Sequence, residues 1–227
     1  MVQELKAVIW VFVLIAVFVL FYVKFERKIK VKWKTFFKKR QLASSDRFGV
    51  YCFHGKQGQG KTYCCVKFLR ENAGKMPITS NIHLEGIDYT YCNDYDEIIK
   101  IAEKGNQLIL YDEIFSKFNK NSKSDPATIN LLSQMRKRGN IMLTTAQDWL
   151  ELPVWLRRKV KIDIRCKRRN ILFWTFITEQ YGDADNMQWS EADNEYVSPI
   201  ILTSISKMTK ENCNAYDTYE TIQLQEK

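Results

Sequence analysis

The strongest constraint on this chain is a glycine loop set between a strand and a helix. Phe48-Gly-Val-Tyr-Cys-Phe53 is an apolar run of strand length, Gly55-Lys-Gln-Gly-Gln-Gly-Lys-Thr62 follows it, and a helical pattern runs from Tyr63 to Asn72. The loop fits G-x-x-x-x-G-K-[ST], in which the glycines let backbone N–H groups wrap phosphates while the helix N-terminus adds its partial positive charge. Gly55, Lys56, Gln57, Gly58, Gln59, Gly60, Lys61 and Thr62 are therefore the expected nucleotide cradle. Lys61 is expected to reach the β- and γ-phosphates of ATP, and Thr62 to ligate Mg²⁺ through its hydroxyl.

Such a loop needs a second carboxylate at the end of a neighbouring buried strand to position the metal ion. Gln107-Leu-Ile-Leu-Tyr-Asp-Glu113 supplies it, with Asp112 as the metal-site carboxylate and Glu113 as the group that polarises the attacking water. Asn140-Ile-Met-Leu-Thr-Thr-Ala-Gln147 reads as a further parallel strand, at whose end Gln147 is placed to sense the γ-phosphate or the water. Alternation of strands and helices from residue 47 to about 146 predicts an α/β domain with a mainly parallel sheet. Lys161 to Arg168 and Ile171 to Thr178, joined near Asn170, predict an antiparallel hairpin extending it. Guanine recognition usually needs an Asn-Lys-x-Asp loop, and Asn119-Lys-Asn-Ser122 lacks the aspartate, which disfavours GTP.

The formal charge of +9 is not spread evenly. Residues 24–40 carry nine Lys/Arg against the single Glu26, so global basicity is mostly a feature of this short segment. It follows Ala7 to Val23, seventeen residues without a charge, which as a helix span about 26 Å against a hydrocarbon core of roughly 30 Å. The expectation is one N-terminal transmembrane helix with its N-terminus outside and the following domain in the cytoplasm, because the basic residues stay on the cytoplasmic side. The expected organisation is an anchor at 1–23, a basic juxtamembrane segment and hinge at 24–46, the P-loop ATPase domain at 47–202 and a polar tail at 203–227. Six cysteines without a Cys-x-x-Cys pair give neither a zinc site nor a disulfide framework.

Asp125 and Pro126 open a further helix that Gly139 can end, with Ile129, Leu132 and Met135 as its apolar stripe. Arg136, Lys137 and Arg138 then fall in its last turn, where cations complement the helix dipole. A sharper reading makes Arg136 or Arg138 an arginine finger on a neighbouring subunit's γ-phosphate, with Arg157 and Arg158 as rivals. Residues 136–169 hold eleven Lys/Arg and three acids, whereas 179–195 hold six acids and no base. The basic block suits a phosphate backbone, with Trp149, Trp155 and Trp174 as stacking surfaces; a solvated or intersubunit face is the alternative.

With these motifs in place the chain resembles the Zot-type (zonula occludens toxin-like) phage assembly ATPases, within the FtsK/HerA class of P-loop motors. The likeness covers about residues 47–170 and rests on Gly55 to Thr62, Pro77-Ile-Thr-Ser-Asn-Ile82, Leu108 to Glu113, and Arg136-Lys-Arg-Gly139 leading to Thr144-Thr-Ala-Gln147. The resemblance implies a RecA-like α/β domain, a homo-oligomeric ring, and ATP-driven movement of phage DNA with other phage assembly proteins. Many members carry their membrane helix after the ATPase domain, whereas here it comes first. That order equally suits a genome-packaging ATPase of a phage with an internal membrane, so the expected location is the host cytoplasmic (inner) membrane or a virion membrane. Two other readings stand beside this one: a membrane-bound scaffold that uses ATP binding as a switch, and a plasmid-transfer or secretion ATPase.

Overall fold

The computed structural model describes residues 10–18, 48–118, 120–123, 125–191 and 195–217. From residue 48 the first half of the chain reads β1 (Gly49–His54), α1 (Lys61–Asn72), β2 (Ile78–Ser80), β3 (Thr90–Tyr91), α2 (Tyr95–Glu103), β4 (Leu108–Tyr111), α3 (Ile114–Lys117), α4 (Pro126–Gln134) and β5 (Ile141–Ala146). The second half reads α5 (Val154–Arg157), β6 (Val160–Ile171), β7 (Trp174–Asp183), β8 (Gln188–Ser190), β9 (Glu195–Val197), β10 (Ile200–Lys207) and α6 (Lys210–Cys213).

Every residue of β1, β4 and β5 is buried. Strands covered on both faces carry unbroken apolar runs, which is what these three sequences show. Alternate residues feed two cores. Tyr51, Phe53, Leu108, Leu110, Leu143 and Ile164 pack against Tyr63, Val66 and Leu69 of α1. Val50, Cys52, Ile109, Tyr111 and Met142 point the other way, to Ile98 of α2, Ile114 of α3, and Leu131 and Leu132 of α4. The result is a sheet with helices on both faces.

The sheet has eight strands in the order β10-β7-β6-β1-β5-β4-β2-β3. Pairings from β6 through β3 are all parallel, and β7 and β10 add antiparallel strands at the β6 edge. A RecA-like α/β domain with a mainly parallel sheet is therefore what the chain forms. Parallel order fixes geography: β1, β2, β4 and β5 all deliver their C-terminal ends to one edge of the sheet, where α/β folds place their ligands.

Several expectations need correction. The hairpin is present, but β6 runs on to Ile171 and the turn is Leu172-Phe173 rather than Asn170. Residues 203–207 are not tail: β10 pairs with β7 through Lys207, and the following residues to 217 stay on the domain. Helix α4 ends at Gln134, so Arg136 to Arg138 lie in the turn beyond it rather than in its last turn; the Asp125 cap is as expected, accepting from the backbone N–H groups of Ala127 and Thr128. Its buried residues are Thr128, Leu131 and Leu132, with Met135 just beyond them. Of the three tryptophans read as stacking surfaces, Trp149 is core and half-buried Trp155 packs edge-on against Phe118. Trp174 remains exposed. Glu179 does not belong to an acidic surface, being buried 2.7 Å from Lys67 Nζ. Five cysteines are buried and Cys213 is half-buried.

Within the expected 7–23 anchor, residues 10–18 are helical with exposed apolar side chains. No helix among the described residues is long and apolar enough to cross a membrane. The remainder of that segment and residues 24–46 lie outside the described residues.

Candidate nucleotide site

Strand β1 ends at His54, and Gly55 turns the chain with φ 147°. A Cβ there would meet the Cys166 carbonyl oxygen at 2.7 Å, so the loop passes too close to β6 for any other residue. At the far end Gly60, with φ 81°, is the N-cap of α1, and a Cβ on it would meet Ile177 Cδ1 at 2.3 Å. Helices α2 and α4 have Asp94 and Asp125 as side-chain caps, whereas α1 has none. Its first N–H groups are thus left for an external acceptor, and the dipole favours an anion there.

Lys61 Nζ lies across the loop, donating to the carbonyls of Gly55 at 2.9 Å and Lys56 at 3.4 Å. The loop is tied to β6 by the Arg168 N–H, which donates to Gln59 Oε1 at 2.8 Å. Thr62 Oγ1 donates to Asp112 Oδ2 at 2.9 Å. Thr145 Oγ1, from β5, donates to the other oxygen of the same carboxylate. The backbone of Asp112 is bracketed by one side chain: its N–H donates to Asn81 Oδ1 at 2.7 Å, and its carbonyl accepts from Asn81 Nδ2 at 3.1 Å. Burial pushes the Asp112 carboxyl above its ordinary value, opposed by the hydrogen bonds from Thr145, Thr62 and the Glu113 N–H.

Glu113 has φ 53° and ψ 49°, the left-handed region. That conformation costs a non-glycine residue roughly 1–2 kcal/mol. It is held by its own N–H, which donates to Thr145 Oγ1 at 2.8 Å and Asp112 Oδ1 at 3.2 Å. Burial first, and then the neighbouring Asp112 charge, raise its carboxyl above 4.5, with Lys61 pulling it down. A carboxylate made more basic in this way is the type of group that accepts a proton from water.

Lys61, Thr62, Asp112, Glu113 and Gln147 line one cleft of about 380 Å³. The backbone N–H groups of Gln147 and Asp148 are each held by Glu151 Oε2 at 3.2 Å, fixing the strand end that presents the Gln147 side chain. Hard oxygen donors from Thr62 and Asp112, side by side, fit Mg²⁺, which binds through one or two carboxylates together with substrate phosphates and water.

Arg136 and Arg138 are not in this cleft. They precede Asn140, at the N-terminal edge of the sheet, and the six residues of β5 separate them from the glycine loop by about 20 Å. Arg138 donates to Gln134 Oε1 at 2.9 Å and to the Glu103 carbonyl. Arg157 and Arg158 end α5 just before β6 starts, at that same edge. The arginine that does line the cleft is Arg168, on β6. Arg168 lines the cleft, and Asn81 and Thr145 hold Asp112; the sequence pattern assigned none of the three a role. Asn81 had a signal, a polar residue at the end of the apolar-flanked Ile-Thr-Ser run; Arg168 had none beyond lying in the basic block.

No family model matches the chain, and no curated protein matches it. Among solved structures, the N-terminal domain of zonular occludens toxin from Neisseria meningitidis matches with a TM-score of 0.52 at 16% identity, covering 74% of this chain and 98% of that one. The genome packaging NTPase B204 from Sulfolobus turreted icosahedral virus 2, in complex with ATP-gammaS, gives 0.45 at 13% identity over 70% of this chain and 100% of that chain. Flagellar accessory protein FlaH from Methanocaldococcus jannaschii gives 0.43 at 12% identity over 70% and 89%. The chain is thus similar in fold to the toxin's N-terminal domain, in agreement with the family that its motifs resemble.

Proposed function

We propose that this chain is a membrane-anchored ATPase that hydrolyses MgATP to drive DNA translocation, export or packaging during phage assembly. The observation that carries the ATPase reading is the meeting of Lys61, Thr62, Asp112 and Glu113 in one cleft at the C-terminal edge of the sheet. Lys61 and the loop N–H groups hold the β- and γ-phosphates, Thr62 and Asp112 are the residues that would hold Mg²⁺, and Gln147 orients the water whose proton Glu113 accepts. Bound Mg²⁺ would neutralise charge building on the phosphate oxygens. In a ring, a neighbour's Arg136 or Arg138 is the candidate for completing the site, since neither reaches the cleft of its own chain.

DNA contact is supported by the β6–β7 hairpin. Arg165, Lys167, Arg168 and Arg169 lie along β6, and beyond them Leu172, Phe173 and Trp174 stand exposed, Phe173 almost completely at 97%. Cations beside aromatic faces suit a phosphate backbone with bases to stack on. On its way to the hairpin turn β6 passes the glycine loop at Cys166 and Arg168, so nucleotide state and DNA grip share one element. Membrane anchoring, in a host or virion membrane, is supported by the apolar, uncharged 7–23 run and the basic 24–40 segment, whose cations favour the cytoplasmic side for the domain that follows.

The test is ATP turnover by the full chain with and without single- and double-stranded DNA. DNA is expected to raise turnover, and the double substitution Phe173→Ala and Trp174→Ala to weaken half-saturation by DNA at least about tenfold, since base–aromatic stacking contributes about 1–3 kcal/mol per base. DNA-free turnover should stay unchanged. Turnover indifferent to either form of DNA would remove the translocation reading and leave an ATPase with another substrate.

A further inference from the structure

The chain does not leave the domain after β10. The Met208 N–H donates to the Thr175 carbonyl at 2.8 Å, and Thr209 caps α6. The Tyr63 hydroxyl, on α1, accepts from the Thr209 N–H at 3.1 Å and from Asn212 Nδ2 at 3.4 Å. Arg70, two turns further along α1, donates to Asn212 Oδ1 at 3.0 Å and to Glu211. At its far end the segment reaches the stretch just past β2: the Glu85 N–H donates to the Ala215 carbonyl at 2.8 Å, and Tyr216 forms an isolated antiparallel bridge with Leu84. Residues 208–217 are therefore a strap, fastened at both ends and drawn across the front of α1.

Met208, Cys213 and Tyr216 form the underside of this strap. They are half-buried and pack against the α1-side core, and the same three side chains line the cleft that holds Lys61 and Thr62. The cleft thus has two chemical ends: a polar one of glycine-loop N–H groups, Lys61, Thr62 and Asp112, and a mainly apolar one made by the strap, where Met208, Cys213 and Tyr216 are joined by the Asp217 carboxylate. A free inorganic phosphate would use only the first. A nucleoside triphosphate, with a charged tail and a flat heteroaromatic base, matches both.

We propose that the strap is the base-binding wall of the nucleotide site, with a purine ring lying against Met208, Cys213 and Tyr216 while the triphosphate occupies the glycine loop. The inference rests on the ATP reading above and adds to it the residues that recognise the base. Because the strap is carried by β10 and fastened to α1, base recognition and the phosphate-binding helix form one rigid unit.

The experiment compares the affinities of ATP and inorganic tripolyphosphate, each with Mg²⁺, for the full chain by calorimetry. Tripolyphosphate has the phosphates without the base. Wild-type protein should bind ATP more tightly than tripolyphosphate. Tyr216→Ala and Met208→Ala should each shrink that advantage about three- to tenfold with tripolyphosphate affinity unchanged, and Tyr216→Phe, which keeps the ring, should preserve it. Unchanged tripolyphosphate binding also shows that each variant is folded. Equal affinity of the wild type for both ligands, or an ATP advantage that survives both alanine substitutions, would overturn the strap as a base site while leaving the glycine-loop reading standing. If neither ligand binds the wild type, the ATP reading itself falls, and the strap proposal with it.

Discussion

Glu113→Gln is expected to lower ATP turnover by about 10²–10⁴-fold, the range for loss of a positioned general base, while leaving ATP affinity within about a factor of two or three. Glutamine is nearly the same size and keeps the backbone contacts to Thr145 and Asp112; what it loses is the ability to take a proton. The pH profile gives a second readout. Burial and the Asp112 charge raise the Glu113 carboxyl above 4.5, so it becomes protonated as pH falls through that raised value, and wild-type turnover should decline on acidification before an ordinary glutamate would titrate. The residual turnover of the variant should lack this limb. Single-turnover phosphate release at several pH values measures both effects. A variant that turns over at the wild-type rate would move the base elsewhere, and intact binding without hydrolysis in the wild type itself would favour a scaffold that uses ATP as a switch.

The second large effect belongs to a residue that never needs to touch nucleotide. Asn81→Ala deprives both the N–H and the carbonyl of Asp112 of their partners, deep in a site where Asn81 is 2% and Asp112 5% exposed. An unsatisfied buried polar group costs about 1–3 kcal/mol, so unfolding free energy should fall by about 2–5 kcal/mol, a large fraction of the roughly 5–15 kcal/mol that a domain possesses. Denaturant unfolding reads this directly. Metal-dependent ATP affinity should weaken alongside, because the Asp112 backbone is what aims its carboxylate at Thr62. Asn81→Asp can still accept from the Asp112 N–H but sets a second charge beside that carboxylate, so it should restore little of either property. A loss of stability below about 0.5 kcal/mol would mean that water satisfies the Asp112 backbone as well as Asn81 does.

Much of the site was legible because its parts are local. The glycine loop announces its own backbone geometry, and Leu108 to Tyr111 followed by Asp112-Glu113 reads as a buried strand delivering carboxylates at its end. The buried runs of β1 and β5 gave the parallel sheet for the same reason. The edge that Arg136 and Arg138 occupy was not legible, because nearness in sequence to two site motifs says nothing about which edge of a sheet a turn occupies; a turn that leads into β5 lies a strand's length from Gln147 at the other end. Arg168 was invisible because its place at the cleft depends on how far β6 overruns β1, six residues past the His54–Arg165 pair. Polar composition hid the strap and β10: Thr203-Ser-Ile-Ser206 covers one side of a sheet edge and carries little apolar signal. Trp149 next to Asp148 resembled a surface tryptophan, yet Asp148 caps a short helical turn that tucks the indole into the core.

Phosphate release from ATP by the full-length chain, measured with Mg²⁺, with chelator, and beside Lys61→Ala, tests the proposed ATPase most directly. Release that requires Mg²⁺ and disappears with the Lys61 ammonium is the expected result. Release that persists unchanged in Lys61→Ala, or none from the wild type at any protein concentration with DNA present, would contradict a hydrolytic site at the glycine loop.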